Sequence, residues 1–207
     1  MRVGLIGFGK TGKAVASVLL DSELTQLQWV VRQSHSLEHR SVSEFLGIKS
    51  NESALILSKA EFTAANLLDQ KPVDVIIDFS GDSGLSYYGE AAAKRGITII
   101  SAVSQYELET MKHLQRLASE TVVMHSPNIT LGINFLMISA KILKNIAPYT
   151  DIEIIEEHFK LKPEVSGTAK VIAKQLEIEE SQIKTIRAGG IIGTHEILFG
   201  FPYQTVR

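Results

Sequence analysis

The chain opens on RVGLIGFGKTG, residues 2–12, and the architecture of its first half follows from this segment. A short apolar run leads directly into a GxGxxG pattern at residues 7–12, and apolar residues then recur at helical spacing. A strand, a glycine-rich turn and a helix in this order predict a dinucleotide-binding site. Gly7 permits the tight turn, Gly9 lets the backbone approach a pyrophosphate, and Gly12 lets the helix pack on the strand. An ordinary strand–helix turn is the alternative interpretation.

The residue at the end of the second predicted strand bears on the choice of dinucleotide. This strand is predicted over 27–31, and Arg32 follows it, 20 positions after Gly12. NAD-binding proteins carry an acid near this point for the ribose 2′-hydroxyl. An arginine instead suits the 2′-phosphate of NADP, both by charge and by bidentate geometry. NADPH is therefore the favoured cofactor and NADH the alternative, unless Arg32 is simply a solvated surface residue.

Strands and helices alternate regularly up to residue 127, which implies a parallel sheet with right-handed crossovers. Beyond it, a long helix starts near 132–134 and stops before Pro148, and the remaining pattern is of mixed α+β type. We therefore predict an α/β protein. A Rossmann-type doubly wound parallel sheet forms a dinucleotide-binding domain (1–127), and an α+β domain with a mostly antiparallel sheet follows (128–207). Strands are predicted over 2–7, 27–31, 54–57, 73–79, 97–100, 121–124, 151–156 and, in two pieces, 183–199; other helices over 41–46, 61–68, 82–95, 107–117 and 169–176; and a polar loop within 34–53.

A charged segment in the second half, IEIIEEHFKLKPEVSGT at 152–168, carries the chemistry. An apolar strand gives way to a cluster that includes His158 and Lys162, and the segment closes on Ser166-Gly167-Thr168 at a helix start. Free backbone N–H groups at such a start can hold an anion, so a small acidic substrate bound there would lie close to His158 and Lys162. The alternative is a charged strand end followed by an ordinary helix cap.

Composition limits the classes of partner. The net charge is −2, so no broad basic field points to nucleic acid. There is no cysteine, which excludes disulfides, thiolate catalysis and cysteine metal sites, and we predict no bound metal. No signal-peptide pattern or membrane-length apolar run is present, so the expected location is the cytoplasm. A lone histidine at a strand end, His125, is more often packed than catalytic.

The order of five motifs resembles the dihydrodipicolinate reductase family, also called 4-hydroxy-tetrahydrodipicolinate reductases. These motifs are GFGKTG at 7–12 with its flanks, DFS at 78–80, SPNITLGIN at 126–134, EEHFKLKPEVSGTA at 156–169 and IRAGGIIGTHEILF at 186–199. The resemblance implies a nucleotide-binding domain followed by a substrate and tetramerisation domain. It also implies reduction of 4-hydroxy-tetrahydrodipicolinate, a small dicarboxylate, to tetrahydrodipicolinate with NADPH or NADH in lysine and diaminopimelate biosynthesis, by a homotetramer.

The resemblance also implies roles for individual residues. The catalytic histidine of the family falls on His158, its proton-donating lysine falls on Lys162, and its carboxylate-binding triplet falls on Ser166, Gly167 and Thr168. The residues expected to bind the cofactor are Gly7, Phe8, Gly9, Lys10, Thr11, Gly12, Arg32, Asp78, Phe79, Ser80, Ser101, Val103, Ser126 and Asn128.

Several departures from the family pattern keep two alternatives open. Phe159 and Leu161 stand where the family has histidines, and 101–104 replaces a GTTG loop near the nicotinamide. The family also has a further strand and helix after the point corresponding to Arg207. One alternative is a divergent dinucleotide-binding paralogue without the activity. The other is a different Rossmann oxidoreductase, acting on an amino acid or a semialdehyde.

Overall fold

A computed structural model describes residues 1–50, 54–104 and 106–207. The chain divides into two compact units, Met1–Pro127 and Asn128–Arg207. Part of the predicted polar loop, residues 51–53, lies outside the described residues. Among the described residues, no helix is both long enough and apolar enough to cross a bilayer.

Strands and helices alternate along the first unit. They are β1 (Arg2–Ile6), α1 (Lys10–Asp21), β2 (Gln26–Arg32), α2 (Val42–Leu46), β3 (Leu55–Ser58), α3 (Ala64–Gln70), β4 (Val75–Asp78), α4 (Gly84–Ala93), β5 (Thr98–Ser101), α5 (Leu108–Leu117) and β6 (Val123–His125). The strands form a six-stranded sheet with the order β3-β2-β1-β4-β5-β6, in which every pairing is parallel. The order reverses between β1 and β4, and ligands of doubly wound sheets bind at such a point, beyond the carboxyl ends of the strands. The predicted Rossmann-type architecture is confirmed.

Both faces of this sheet are covered, which explains the nearly continuous apolar runs of its strands. Val3 and Leu5 of β1 belong to one core cluster, whereas Ile6 and Trp29 belong to the other. Gly4 leaves room for the Trp29 indole, since a Cβ at Gly4 would lie 2.2 Å from a ring carbon. The central strands are therefore held rigidly from both sides, and their carboxyl ends form a firm base for a binding site.

The second unit has the elements α6 (Leu131–Ile146), β7 (Asp151–His158), α7 (Gly167–Gln175), a 3₁₀ turn (Glu180–Gln182), β8 (Ile183–Arg187), β9 (Thr194–Gly200) and β10 (Thr205–Val206). Its strands form a four-stranded mixed sheet with the order β10-β9-β7-β8. Strand β9 is antiparallel to both of its neighbours, so the predicted mostly antiparallel sheet is confirmed. The parallel pairing of β7 with β8 was not predicted.

The two helices of this unit differ in how they are buried. Helix α7 places Ala169, Ile172 and Ala173 in the core beside Ile154 of β7. Helix α6 contributes one fully buried residue, Ala140. A stripe of large apolar side chains along α6 is exposed in the single chain; we call it the α6 stripe, and it comprises Leu131, Phe135, Ile138, Ile142 and Ile146.

Candidate active site

The glycine-rich turn after β1 has the geometry that its sequence demands. Gly7 has a φ of +96°, and a Cβ there would lie 2.6 Å from the backbone of Phe79. A Cβ at Gly12 would lie 2.2 Å from the carbonyl oxygen of Gly7, so only glycine lets α1 start this close to the turn. Gly9, the N-cap of α1, has no other protein atom within 4 Å of such a Cβ. Its surroundings therefore leave room for a ligand to approach the backbone at the helix N-terminus.

A cavity of about 460 Å³ lies beyond the carboxyl ends of β1, β2 and β4. It is therefore at the place where doubly wound sheets hold nucleotides. Six of the residues predicted to bind the cofactor line it: Gly7, Phe8, Gly9, Arg32, Phe79 and Ser80. The open backbone at Gly9 and the helix N-terminus fit a pyrophosphate, so the residues present suit a dinucleotide.

The far wall of this cavity carries positive charge. Arg32 ends β2, and its guanidinium donates a hydrogen bond to the Ser36 carbonyl at 3.0 Å. Lys59, just beyond β3, also lines the cavity, and its amide donates to the Arg32 carbonyl at 2.9 Å. The described lining residues include no carboxylate. Sequence reasoning missed Lys59, because its proximity to Arg32 depends on the pairing of β3 with β2.

Asp78, predicted to bind the cofactor, has a fully buried carboxylate that accepts its hydrogen bonds from other residues of the protein. It accepts hydrogen bonds from the Ser80 amide (2.8 Å), the Ser80 hydroxyl (2.5 Å) and the Tyr88 hydroxyl (2.9 Å). Burial raises the pKa of Asp78, and the hydrogen bonds from Ser80 and Tyr88 offset only part of that effect. The carboxylate therefore shapes the turn that presents Ser80 to the cavity, and does not itself line the cavity.

The remaining predicted cofactor residues of this unit are not among those that line the described cavity. Lys10 and Thr11 are exposed on the first turn of α1. Ser101 is buried, with its hydroxyl 2.7 Å from the Tyr106 hydroxyl, and its carbonyl accepts from the Ser126 amide at 2.9 Å. Val103 is also buried. The Val103 carbonyl lies 3.1 Å from Nε2 of His125, and the imidazole packs on the Tyr106 ring. His125 is therefore a packed residue, as expected for a lone histidine at a strand end.

In the second unit, β7 continues two residues further than predicted and brings His158 onto the sheet. Glu156 and His158 point to the same face because they are two residues apart on a strand. The Glu156 carboxylate is fully buried, where it accepts hydrogen bonds from Nδ1 of His158 and from the Arg187 guanidinium, the latter at 2.6 Å. Burial raises the pKa of Glu156, but these two hydrogen bonds outweigh burial and hold its pKa below the ordinary value. The carboxylate is therefore ionised at neutral pH.

The loop that carries Lys162 is anchored by the same arginine. Nε of Arg187 donates to the Lys162 carbonyl at 3.1 Å, and Nη2 donates to the Glu164 carbonyl at 2.8 Å. The Lys162 amide closes a turn on the Phe159 carbonyl at 3.0 Å. Sequence reasoning missed Arg187, although it lies in one of the quoted motifs.

Ser166 is the N-cap of α7, where its hydroxyl accepts from the Ala169 amide at 3.0 Å and lies 2.8 Å from Nε2 of His195. The Ser166 hydroxyl therefore caps α7, as expected from the alternative interpretation of this segment as an ordinary helix cap. Thr168 donates to the side-chain carbonyl of Asn128 at 2.8 Å, which gives Asn128 a role in holding α7. A Cβ at Gly167 would have no neighbour within 4 Å, so the backbone at the start of α7 remains accessible to an anion.

A second histidine, His195, links this helix start to His158. The two imidazoles meet edge to face with ring centroids 5.5 Å apart. Burial and the nearby His158 lower the pKa of His195, so it is neutral at pH 7. The structure therefore brings together His158, the Lys162 loop and the Ser166 helix start, three features predicted from sequence. Among the described residues, no group of three or more side chains is arranged to hold a metal ion.

Two protein-family models match this chain. The family model for "Dihydrodipicolinate reductase, N-terminus" matches residues 1–129, and that for "Dihydrodipicolinate reductase, C-terminus" matches residues 129–207. The chain belongs to the dihydrodipicolinate reductase family. The names of the family and of its curated members indicate an oxidoreductase, and a Rossmann-type unit in this family implies a nicotinamide cofactor.

Curated family members are similar to this chain at moderate identity. The 4-hydroxy-tetrahydrodipicolinate reductase of Caldanaerobacter subterraneus is 29% identical over 159 residues, which cover 66% of this chain and 63% of that protein. The reductase of the same name from Syntrophus aciditrophicus is 28% identical over 220 residues, covering 94% of this chain and 80% of that protein. The matched part of the chain therefore covers 63% to 80% of the length of these relatives.

Solved structures show the same fold. A dipicolinate-bound dihydrodipicolinate reductase from Paenisporosarcina sp. TG-14 superposes with a TM-score of 0.73 at 20% identity, covering 100% of this chain and 85% of that one. A scyllo-inositol dehydrogenase from Lactobacillus casei superposes with a TM-score of 0.63 at 12% identity, covering 100% of this chain and 74% of that one. At these identities the similarity shows the fold alone, so the function has to be inferred from the residues of the site.

Proposed function

We propose that this protein reduces 4-hydroxy-tetrahydrodipicolinate to tetrahydrodipicolinate with a nicotinamide dinucleotide, the step of lysine and diaminopimelate biosynthesis expected from its sequence. The observation that carries the proposal is the convergence, in the second unit, of His158, the Lys162 loop and the open N-terminus of α7. The glycine-lined cavity of the first unit supports the cofactor half of the proposal.

Substrate binding is assigned to the start of α7. A carboxylate placed there would accept hydrogen bonds from backbone N–H groups of Gly167 and Thr168 and would be stabilised by the positive end of the helix dipole. Ser166 fixes that helix start through its cap, and Lys162 supplies a positive charge for the dianionic substrate. The dipicolinate bound to the similar Paenisporosarcina reductase is a planar dicarboxylate of this kind.

In the overall reaction, the substrate loses its hydroxyl as water and gains one hydride and one proton. When bound, the nicotinamide supplies the hydride. Lys162 delivers the proton to the ring, because an ammonium group can act both as a charge partner and as an acid. We assign His158 to stabilising the negative charge that develops on the ring as the hydride adds. Glu156 accepts the hydrogen bond from Nδ1, so His158 in its imidazolium form would present an Nε2–H donor to that charge.

The cofactor preference proposed here is for NADPH, because Arg32 and Lys59 both line the cavity. Arg32→Glu reverses the charge of the side chain that is proposed to face the 2′-phosphate. The NADPH:NADH ratio of kcat/KM should therefore shift toward NADH by about tenfold or more, because losing one hydrogen bond to a charged group costs about 1.5–3 kcal/mol. Arg40→Glu makes the same charge change in the same unit outside the cavity lining, and it should leave the ratio unchanged. Equal ratios for both variants would assign Arg32 to the surface.

The proposed activity is tested by titrating the chain with NADPH, then with pyridine-2,6-dicarboxylate, followed by measurement of NADPH oxidation with freshly prepared substrate. Cofactor binding, dicarboxylate binding and turnover are all expected. Cofactor binding without turnover would favour a divergent paralogue, the alternative supported by the exposed apolar Phe159 and Leu161 beside the proposed site. Turnover of a different carbonyl or imine substrate would favour another Rossmann oxidoreductase.

A homotetramer is proposed as the working assembly, supported by the exposed α6 stripe. Contiguous apolar side chains of this extent are commonly buried in protein interfaces. Light scattering is expected to give four times the chain mass of 22.8 kDa. Phe135→Glu places a charge within the stripe and should lower the measured mass, whereas Lys141→Glu, exposed on the same helix but outside the stripe, should not. A monomeric wild-type chain would contradict the proposal.

A further inference from the structure

Arg187 stands out as a largely buried cation whose hydrogen bonds extend to two separate parts of the proposed active site. Its guanidinium donates four hydrogen bonds within the described part of the chain. One goes to the Glu156 carboxylate, two go to the carbonyls of Lys162 and Glu164, and the last goes to the carbonyl of its own neighbour, Ile186. Only 19% of the side chain is accessible to solvent.

The sheet register explains how one residue reaches both parts. In the parallel pairing of β7 with β8, His158 lies directly opposite Arg187, and both strands end there. Glu156 is two residues before His158 on the same face and lies between the imidazole and the guanidinium. The 159–165 loop then leaves β7 and passes over Arg187, which contacts its carbonyls.

We infer that Arg187, acting with Glu156, is a positioning residue that sets the imidazole of His158 and the Lys162 loop in fixed relation to each other. The inference rests on the proposed function, since it assigns Arg187 a part in placing both of the proposed catalytic groups. We assign no contact with substrate or cofactor to Arg187 or to Glu156.

The chemistry of the arginine side chain supports positioning over simple stabilisation. A buried ion pair contributes little net stability, because the cost of desolvating two charges offsets their attraction. The guanidinium, however, presents its donors in a fixed planar fork, so that one side chain can satisfy a carboxylate and two carbonyls in different directions. A lysine ammonium is a compact point charge and cannot span the same three acceptors. The network therefore requires the shape of arginine as well as its charge.

The decisive variant is Arg187→Lys, which keeps the positive charge beside Glu156 and removes the fork. We expect kcat to fall by about 10²-fold, the effect of a misplacement of roughly 1 Å at a catalytic group. The dissociation constant for NADPH should stay within about threefold of wild type, because the glycine-rich turn is untouched. That for pyridine-2,6-dicarboxylate should rise by less than about tenfold, well short of the loss in kcat, because Lys162 is displaced while the α7 start still binds a carboxylate. Lys184→Met is the matched control on the same strand, since Lys184 is exposed and pairs with Glu153. It should leave all these values unchanged.

A double-mutant cycle separates positioning from a merely structural role. If Arg187 acts through Lys162, then Arg187→Lys should cost several times less activity in a Lys162→Ala background than in wild type. Equal losses in the two backgrounds would overturn the inference. So would a loss of kcat in Arg187→Lys that is matched by an equal loss of dicarboxylate binding.

A measurement without turnover keeps the inference independent of the proposed activity. The ¹⁵N signals of the His158 imidazole should show a protonated Nδ1 in wild type, because the ionised Glu156 carboxylate accepts only. Glu156→Gln is nearly isosteric and should shift the Nδ1 signal, and Arg187→Lys should shift it in part. Unchanged signals in both variants would overturn the inference. An inactive wild type with the expected imidazole signals would instead overturn the proposed reaction.

Discussion

Replacing Lys162 by alanine is expected to lower kcat by about 10²- to 10⁴-fold, the range found when a general acid is removed. The side chain is the proposed proton donor, and hydride addition leaves negative charge on the ring that must be neutralised. Its backbone should stay in place, because the Lys162 carbonyl and amide are both held by hydrogen bonds that alanine retains. Steady-state kinetics with saturating NADPH measure the effect.

Lys160→Ala is the matched control for this variant. Lys160 lies in the same loop and is exposed, and its amide bonds to the Gly189 carbonyl independently of the side chain. We expect a change in kcat of less than about threefold, because Lys160 is exposed and substitutions at such surface positions usually have small effects. If Lys162→Ala keeps wild-type kcat, the lysine has no place in the mechanism, and equal losses in the two variants would mean that general positive charge is what matters.

The second large effect is expected from Gly9→Ala, which should weaken NADPH binding by about 10²-fold. The added methyl group occupies the space through which a pyrophosphate would approach the α1 N-terminus, and the loss of one hydrogen bond to a charged group costs about 1.5–3 kcal/mol. No protein atom opposes that methyl group. The free energy of unfolding should therefore fall by less than about 1 kcal/mol, the cost of a poorer N-cap residue. Fluorescence titration and thermal unfolding measure the two quantities.

Gly12→Ala provides the contrast for Gly9→Ala. Here the methyl group would meet the Gly7 carbonyl oxygen at 2.2 Å, so the helix must move away from the turn. We expect the free energy of unfolding to fall by about 1–3 kcal/mol, as for other overpacked sites, together with loss of NADPH binding. A Gly9→Ala variant with undiminished affinity would refute the proposed position of the pyrophosphate.

The parts of this molecule that depend on local sequence could be predicted from it. The glycine-rich turn is one example, because a strand, a φ-positive glycine and a helix start are encoded within residues 2–12. Ser166 at a helix N-cap is another, because capping depends on the next three residues. The alternation of strands and helices similarly led to the correct parallel sheet.

The parts that depend on tertiary pairing could not be predicted in the same way. Glu156 and Arg187 are 31 positions apart, and they meet only because β8 pairs parallel with β7. Strand β7 likewise runs past its predicted end at 156, since β8 and β9 both continue to pair with it. The family resemblance implied a cofactor contact for Asp78, yet Tyr88 from the following helix donates a hydrogen bond to one of its oxygens. Sequence offers no signal for such a partner.

The parallel pairing of β7 with β8 has a consequence for how the second unit of this protein can change over time. Glu156, His158, Lys162, Ser166, Arg187 and His195 all fall within a single uninterrupted segment, residues 156–195. Because α7 carries the chain back so that β8 runs parallel to β7 and ends beside His158, these hydrogen-bonding partners are inherited together. Such a segment can be exchanged between related proteins as one piece, because the charged residues that pair with each other are transferred together. Recombination with breakpoints in β7 and β9 should therefore be tolerated far better than breakpoints between α7 and β8.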